Sequence, residues 1–158
     1  FAAYTGSAGS VDVRLDRTVQ TGGDAQGDVL SGIEHLVGST FGDTLGGDTR
    51  DNQLFGYDGN DWLLGRDGND WIVGEAGSDT LTGGNGRDVF VFTLGSGSDR
   101  VSDFEYGDDL LYFDVAGTEF ASLIIRDAGS DTVIQLGDIQ VTLLNFYHRN
   151  LGALDVYF

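Results

Sequence analysis

The sequence predicts an all-β chain wound as a parallel β-roll, a two-sheeted solenoid with an irregular lead-in coil and a C-terminal cap of strands that includes a hairpin. Three observations predict it. A nine-residue pattern of glycine, aspartate and an aliphatic residue repeats through the middle of the chain. Glycine (26 residues) and aspartate (22) are strongly over-represented in a chain that is still 40% hydrophobic, which excludes a disordered acidic tail but also an average globule. Cysteine is absent, so neither disulfides nor thiolate metal sites can staple the fold.

The 158 residues suit one compact unit, divided here into a lead-in (1–37), a repeat array (38–91) and a capping segment (92–158). With 26 acidic residues against 8 basic ones the formal charge is −18. Nucleic acid and anionic membranes are therefore repelled, not steered. No apolar run approaches the roughly 18 residues of a spanning helix. The start at Phe1, with neither initiator Met nor a secretory leader pattern, reads as a piece of a longer protein.

Four blocks hold one register: Gly56–Leu64 (GYDGNDWLL), Gly65–Val73 (GRDGNDWIV), Gly74–Thr82 (GEAGSDTLT) and Gly83–Val91 (GGNGRDVFV). Two weaker blocks precede them, Gly38–Gly46 (GSTFGDTLG) and Gly47–Phe55 (GDTRDNQLF), the second with Asn52 in place of aspartate. Places one to six, rich in Gly, Asn and Asp, supply tight turns and positive φ. Places seven to nine read as a short strand. Two blocks then make one coil, and alternation along the strand turns place eight inward: Leu45, Leu54, Leu63, Ile72, Leu81 and Phe90 form the core.

Odd and even blocks fall on opposite sheets. Thr44, Trp62, Leu64, Thr80 and Thr82 face outward on one; Gln53, Phe55, Trp71, Val73, Val89 and Val91 face outward on the other. The second set is apolar enough to need a cover, which the C-terminal third is expected to supply.

Aspartates at place six stack on successive coils about 4.8 Å apart. Two carboxylates about 4 Å apart repel by roughly 4 kcal/mol at an effective dielectric of 20. A cation is needed, and calcium suits a donor set of carboxylates and turn carbonyls; magnesium wants stricter octahedra, and transition metals want the His or Cys that the repeats lack.

The blocks clearly resemble the RTX (haemolysin-type) family, whose GGxGxDxUx nonapeptides bind calcium in parallel β-rolls. The resemblance implies that one loop gives carbonyls from places two and four with its aspartate, and the loop two blocks later gives places one and three with its own. Asp61, Tyr57 and Gly59 would meet Asp79, Gly74 and Ala76. Asp70, Arg66 and Gly68 would meet Asp88, Gly83 and Asn85. Asp43, with Ser39 and Phe41, would meet Asp61, Gly56 and Asp58, although Phe41 stands where glycine is expected. The Asn52 edge, facing Asp70, Gly65 and Asp67, lacks a charge. Glu75 and Gly77, and Gly84 and Gly86, are places two and four of the last loops, which Asp99 and Asp109 of the closing segment would complete, with Asp103 on a third acidic place. Three to five calcium ions follow.

Upstream, Val11–Leu15 alternates like a strand, and residues 22–39 resemble the irregular lead-in of RTX arrays. Asp24 and Asp28 read as solvated turn residues. Downstream, residues 95–113 resemble the closing segment of serralysin-type domains, Asp131–Phe146 reads as an antiparallel hairpin around a Leu-Gly-Asp turn, and the LDVYF ending resembles a type I secretion signal.

Only His35 and His148 are present, and neither HExxH nor GxSxG occurs, so the segment is read as non-catalytic. The resemblance implies a calcium-dependent module that supports folding, stability and type I export of an attached extracellular protein from a Gram-negative bacterium, with the export machinery and an N-terminal catalytic or effector domain as partners. Two alternatives stand beside it. Outward Trp62 and Trp71 suit a polysaccharide-binding module like those of alginate epimerases, and the apolar sheet suits an adhesin or haemolysin contact.

Overall fold

The computed structural model describes residues 1–117, 119–147, 151–152 and 155–158; His148 and Leu154, named above, lie outside the described residues. In chain order the strands are β1 (Ala2–Ala3), β2 (Asp12–Arg14), β3 (His35–Val37), β4 (Thr44–Gly46), β5 (Gln53–Asp58), β6 (Trp62–Asp67), β7 (Trp71–Ala76), β8 (Thr80–Asn85), β9 (Val89–Thr93), β10 (Ser98–Val101), β11 (Leu110–Asp114), β12 (Ile124–Ala128), β13 (Asp131–Leu136), β14 (Ile139–Leu143) and β15 (Val156–Tyr157). They form two sheets. One has the order β1-β3-β5-β7-β9-β11-β15, the other β12-β13-β14-β10-β8-β6-β4-β2.

Every pairing along the winding is parallel, with the place-eight residues in register. Leu45, Leu63 and Leu81 stack on one sheet, and Leu54, Ile72 and Phe90 on the other. All six are fully buried. This is the expected β-roll, and the period-two alternation explains it: place eight is the only strand position that points inward in every block.

The strands are longer than places seven to nine alone. From β5 to β8 each runs six residues, because the turn residues also pair coil on coil: Arg66 lies opposite Gly84 and Asp67 opposite Asn85. Such stacking brings main chain against main chain. A Cβ on Gly77 would stand 1.6 Å from the carbonyl oxygen of Gly59, which only glycine avoids.

The winding also extends beyond the six blocks. Val13 lies beside Leu45 and Leu36 beside Leu54, so Gly6–Arg14 and Val29–Val37 are degenerate nonapeptides. At the other end Val101 lies beside Leu81 and Leu111 beside Phe90, which makes Leu94–Ser102 and Phe104–Tyr112 two more. Phe92 with Thr93, and then Asp103, are insertions that hid the register.

The hairpin forms as expected, β13 against β14 around Gly137 and Asp138, with β12 as an additional antiparallel strand. Its position differs from the expectation. β14 pairs in parallel with β10 and so continues the second sheet, while β15 adds to the edge of the first. The apolar first sheet is shielded by its own side chains instead. Phe55, Val73, Val91 and Tyr112 lie side by side, and the Trp71 ring reaches across β9 to within 6.0 Å of the Tyr112 ring. Val73 and Val91 are buried.

Because Leu63 is fully buried and Trp62 is 52% exposed, the two neighbours should differ sharply on truncation. Leu63→Ala is expected to destabilise the folded roll by about 2–4 kcal/mol, and Trp62→Ala by less than about 1 kcal/mol. Denaturant unfolding of both variants under folding conditions checks this.

Candidate metal-binding turns

The place-six aspartates sit where each turn enters its strand, and the parallel stacking fixes what each carboxylate can reach. Asp43, Asp61, Asp70, Asp79, Asp88, Asp99 and Asp109 are all 3% exposed or less, as is Asn52. One oxygen of each aspartate has a constant job. The Oδ1 atoms of Asp43, Asp61, Asp70, Asp79, Asp88, Asp99 and Asp109 accept hydrogen bonds from the backbone N–H groups of Val11, Asp43, Asn52, Asp61, Asp70, Asp79 and Asp88 in turn, at 2.7–3.0 Å. The aspartates thereby tie each coil to the one before it.

The second oxygen divides the turns into two kinds. Oδ2 of Asp61, Asp70, Asp79 and Asp88 is buried with no hydrogen-bond partner. A buried carboxylate oxygen left without a partner is costly, and a cation is a partner that suits it. These are the aspartates of the four regular blocks.

The space beside them fits a cation. A Cβ on Gly56 would stand 2.2 Å from Asp61 Oδ2 and 2.7 Å from the Gly74 carbonyl oxygen; one on Gly65 would stand 2.2 Å from Asp70 Oδ2 and 2.5 Å from the Gly83 carbonyl oxygen. Carboxylate and carbonyl oxygens from successive coils thus converge beside the place-one glycine, a hard-oxygen donor set of the kind calcium takes. At Gly74 and Gly83 only their own aspartates, Asp79 and Asp88, come that close, because the insertions after Val91 displace the next turns. Among the described residues no three His, Cys, Asp or Glu side chains gather closely enough to hold a metal by themselves, so main-chain carbonyls must complete any donor set.

Place two controls the turn. Tyr57, Arg66 and Glu75 adopt φ of 83°, 91° and 66°, and Gly84 adopts 102°. Left-handed backbone is strained for the three with side chains. Gly59, Gly68 and Gly86 at place four also have positive φ. Asp58, Asp67, Ala76 and Asn85 at place three are exposed, so they face the turns with main chain only.

A second ladder runs outside the first. Asn69 and Ser78 donate their N–H groups to Asp51 and Asn60, and Arg87 donates to Asn69, at 2.7–3.0 Å. This explains the recurring Asn at place five. Sequence reasoning also missed the full part of Asp103, whose carboxylate accepts from the N–H groups of Gly83 and Gly84 at 3.0 and 2.8 Å. Elsewhere, Asp28 accepts from the Tyr4 hydroxyl at 2.9 Å. Trp62 and Trp71 lie on opposite sheets and so share no face.

Burial raises the acids. Asp61 and Asp70 are pushed up to about 7, chiefly by desolvation, with the Asp79 and Asp88 carboxylates adding to it. Burial likewise lifts Asp79 to about 6, Asp99 to about 7 and Asp109 to about 6, and moves Asp88 upward.

Comparison with known proteins places this geometry. Residues 37–71 and 64–101 match the family model of the RTX calcium-binding nonapeptide repeat. The solution structure of the AlgE6R3 subunit from the Azotobacter vinelandii mannuronan C5-epimerase is similar, with 29% identity and a TM-score of 0.63 over 82% of this chain and 86% of that one. The crystal structure of the extracellular lipase LipA from Serratia marcescens is similar at 25% identity and a TM-score of 0.69, over 89% of this chain and 23% of the lipase. A search of curated proteins finds no match. The roll is a non-catalytic type of domain, and the similar structures are parts of larger enzymes.

The raised acids carry a sign. They bind protons more tightly in the roll than at their ordinary value of 3.8, so protonation favours the fold. Their contribution is complete below about pH 4 and is lost as pH rises through about 6 to 7. In excess chelator the far-UV β signal is therefore expected to fall between pH 5 and pH 8. Circular dichroism across that range checks it.

Proposed function

We propose that this chain, whose residues 37–101 carry RTX calcium-binding nonapeptide repeats, is a module that folds when calcium binds and so supports the folding, stability and type I export of an attached extracellular protein. The four partnerless, buried Oδ2 atoms of Asp61, Asp70, Asp79 and Asp88 carry this reading. Asp61 with the carbonyls of Tyr57 and Gly59, facing Asp79 with those of Gly74 and Ala76, would hold one ion. Asp70, Arg66 and Gly68, facing Asp88, Gly83 and Asn85, would hold another. Three to five ions in all fit the turns, with the last loops, through Glu75, Gly77, Gly84 and Gly86, drawing on Asp99; Asp109 Oδ2 accepts the N–H of Glu105 at 2.8 Å and is already satisfied.

Bound calcium supplies positive charge between stacked carboxylates and an acceptor-free partner for oxygens that no N–H reaches. The chain's own residues do the rest: Oδ1 atoms join the coils, glycines let carbonyls approach, and place-eight side chains close the core. Since the acids are self-repelling without an ion, a calcium-poor interior would keep the chain open for export and a calcium-rich medium would wind it. The similarity to parts of an epimerase and of an extracellular lipase supports an enzyme as the attached protein.

Far-UV circular dichroism should show little β structure in EGTA at pH 8 and a cooperative gain with millimolar calcium, but not with equal magnesium. An unchanged signal in EGTA sinks the reading. Asp70→Asn keeps the coil-joining oxygen and removes the carboxylate, and is expected to raise the calcium midpoint roughly tenfold, the equivalent of about 1.4 kcal/mol.

A further inference from the structure

The turns of the first two blocks differ from the four that follow and share a feature with the turn at Asp109, where Oδ2 accepts the N–H of Glu105 at 2.8 Å. At Asp43, Oδ2 accepts the N–H of Ser39, and Oδ1 accepts the Ser39 hydroxyl at 2.9 Å besides the N–H of Val11 at 2.7 Å. At Asn52, Oδ1 accepts the N–H of Asp48 at 2.8 Å, while Nδ2 reaches the Glu34 carbonyl at 3.5 Å. Neither side chain is among those left without a partner. The oxygen that stands bare at Asp61, Asp70, Asp79 and Asp88 is here satisfied by the main chain of its own turn.

The cause is legible in the residues at places two and four. Ser39 and Asp48 at place two accept the N–H of the place-four residues Phe41 and Arg50, at 3.1 and 2.9 Å. These are local side-chain turns of the kind Ser and Asp favour. Neither Ser39 nor Asp48 adopts positive φ, in contrast to Tyr57, Arg66, Glu75 and Gly84. Without the left-handed residue, the place-two N–H points at the place-six side chain and donates to it; a Cβ on Gly38 or Gly47 would still lie 2.3–2.5 Å from that side chain and from the next coil's carbonyl, as at Gly56 and Gly65, so the satisfied oxygen and not the spacing sets these turns apart. Phe41 and Arg50, which replace the place-four glycine, belong to the same device.

We infer that the turns Gly38–Asp43 and Gly47–Asn52 are sealed without metal, and that the cation-requiring turns begin at Gly56. This rests on the calcium reading above and sharpens it. Asn52 is then no weakened ligand: its amide is matched to one N–H and one carbonyl, which a carboxylate could not satisfy together. Together with β1 to β4 the sealed turns give the array a first coil on each sheet whose acceptors need no ion, against which the calcium-dependent coils wind.

Native mass spectrometry of the full chain in saturating calcium tests this by counting ions. Asn52→Asp is expected to bind the same number as the unaltered chain, whereas the triple change Asp48→Gly, Arg50→Gly, Asn52→Asp, which restores the open pattern, is expected to gain one. Asp70→Asn should lose at least one. An extra ion on Asn52→Asp alone, or none gained by the triple variant with its calcium-bound β signal intact, would overturn the inference. No calcium on the unaltered chain would instead sink the function proposed above.

Discussion

Two oxygens of one small side chain govern this molecule. The place-six carboxylate accepts, at Oδ1, the N–H of the preceding coil, at 2.8 Å from Asp61 to Asp79 and from Asp70 to Asp88. That bond fixes the stacking of turns, which in turn fixes the strand register and the inward stack of Leu63, Leu81, Ile72 and Phe90. The same bond pulls Oδ2 into a buried turn where no donor reaches it. The interaction that aligns the coils therefore creates the charge problem that opposes them, and the proposed function gives its resolution to a divalent cation.

Function follows from this conflict. A hydrophobic core one side chain wide per block leaves the roll dependent on its edges, and along the edges the acids outnumber the bases. Hydrogen bonding to the neighbouring coil cannot be made without burying the second oxygen, which is the ground for proposing that folding and cation binding are a single step. The place-two residues Tyr57, Arg66 and Glu75 hold left-handed backbone, which adds strain to these turns. The sealed turns at Asp43 and Asn52 escape the conflict by supplying their own N–H donors.

The roll itself was legible because its code is local: glycine, aspartate and an aliphatic residue at fixed offsets in Gly56–Val91 name turn, ligand and core. Asp61, Asp70, Asp79 and Asp88 emerged from that offset and occupy equivalent buried positions. The longer strands were hidden because pairing of Arg66 with Gly84 depends on neighbouring coils, not on propensity. The outer coils were hidden by chemistry and by spacing. Val11 and Glu34 replace the aspartate, and Asp103 interrupts the nine-residue count before Phe104. The hairpin pattern was readable in Asp131–Phe146, but its partner was not. Nothing in its alternation distinguishes covering a sheet from extending one, and the free edge of β10 decided it.

Hydrogen–deuterium exchange of the strand amides from Gln53 to Thr93, with and without calcium at pH 8, tests the central claim most directly. If the place-six acids make winding and cation binding one event, amides around Leu54, Leu63, Ile72, Leu81 and Phe90 gain protection together as calcium is added and lack it in chelator. Equal protection of these amides in chelator and in calcium would contradict the account.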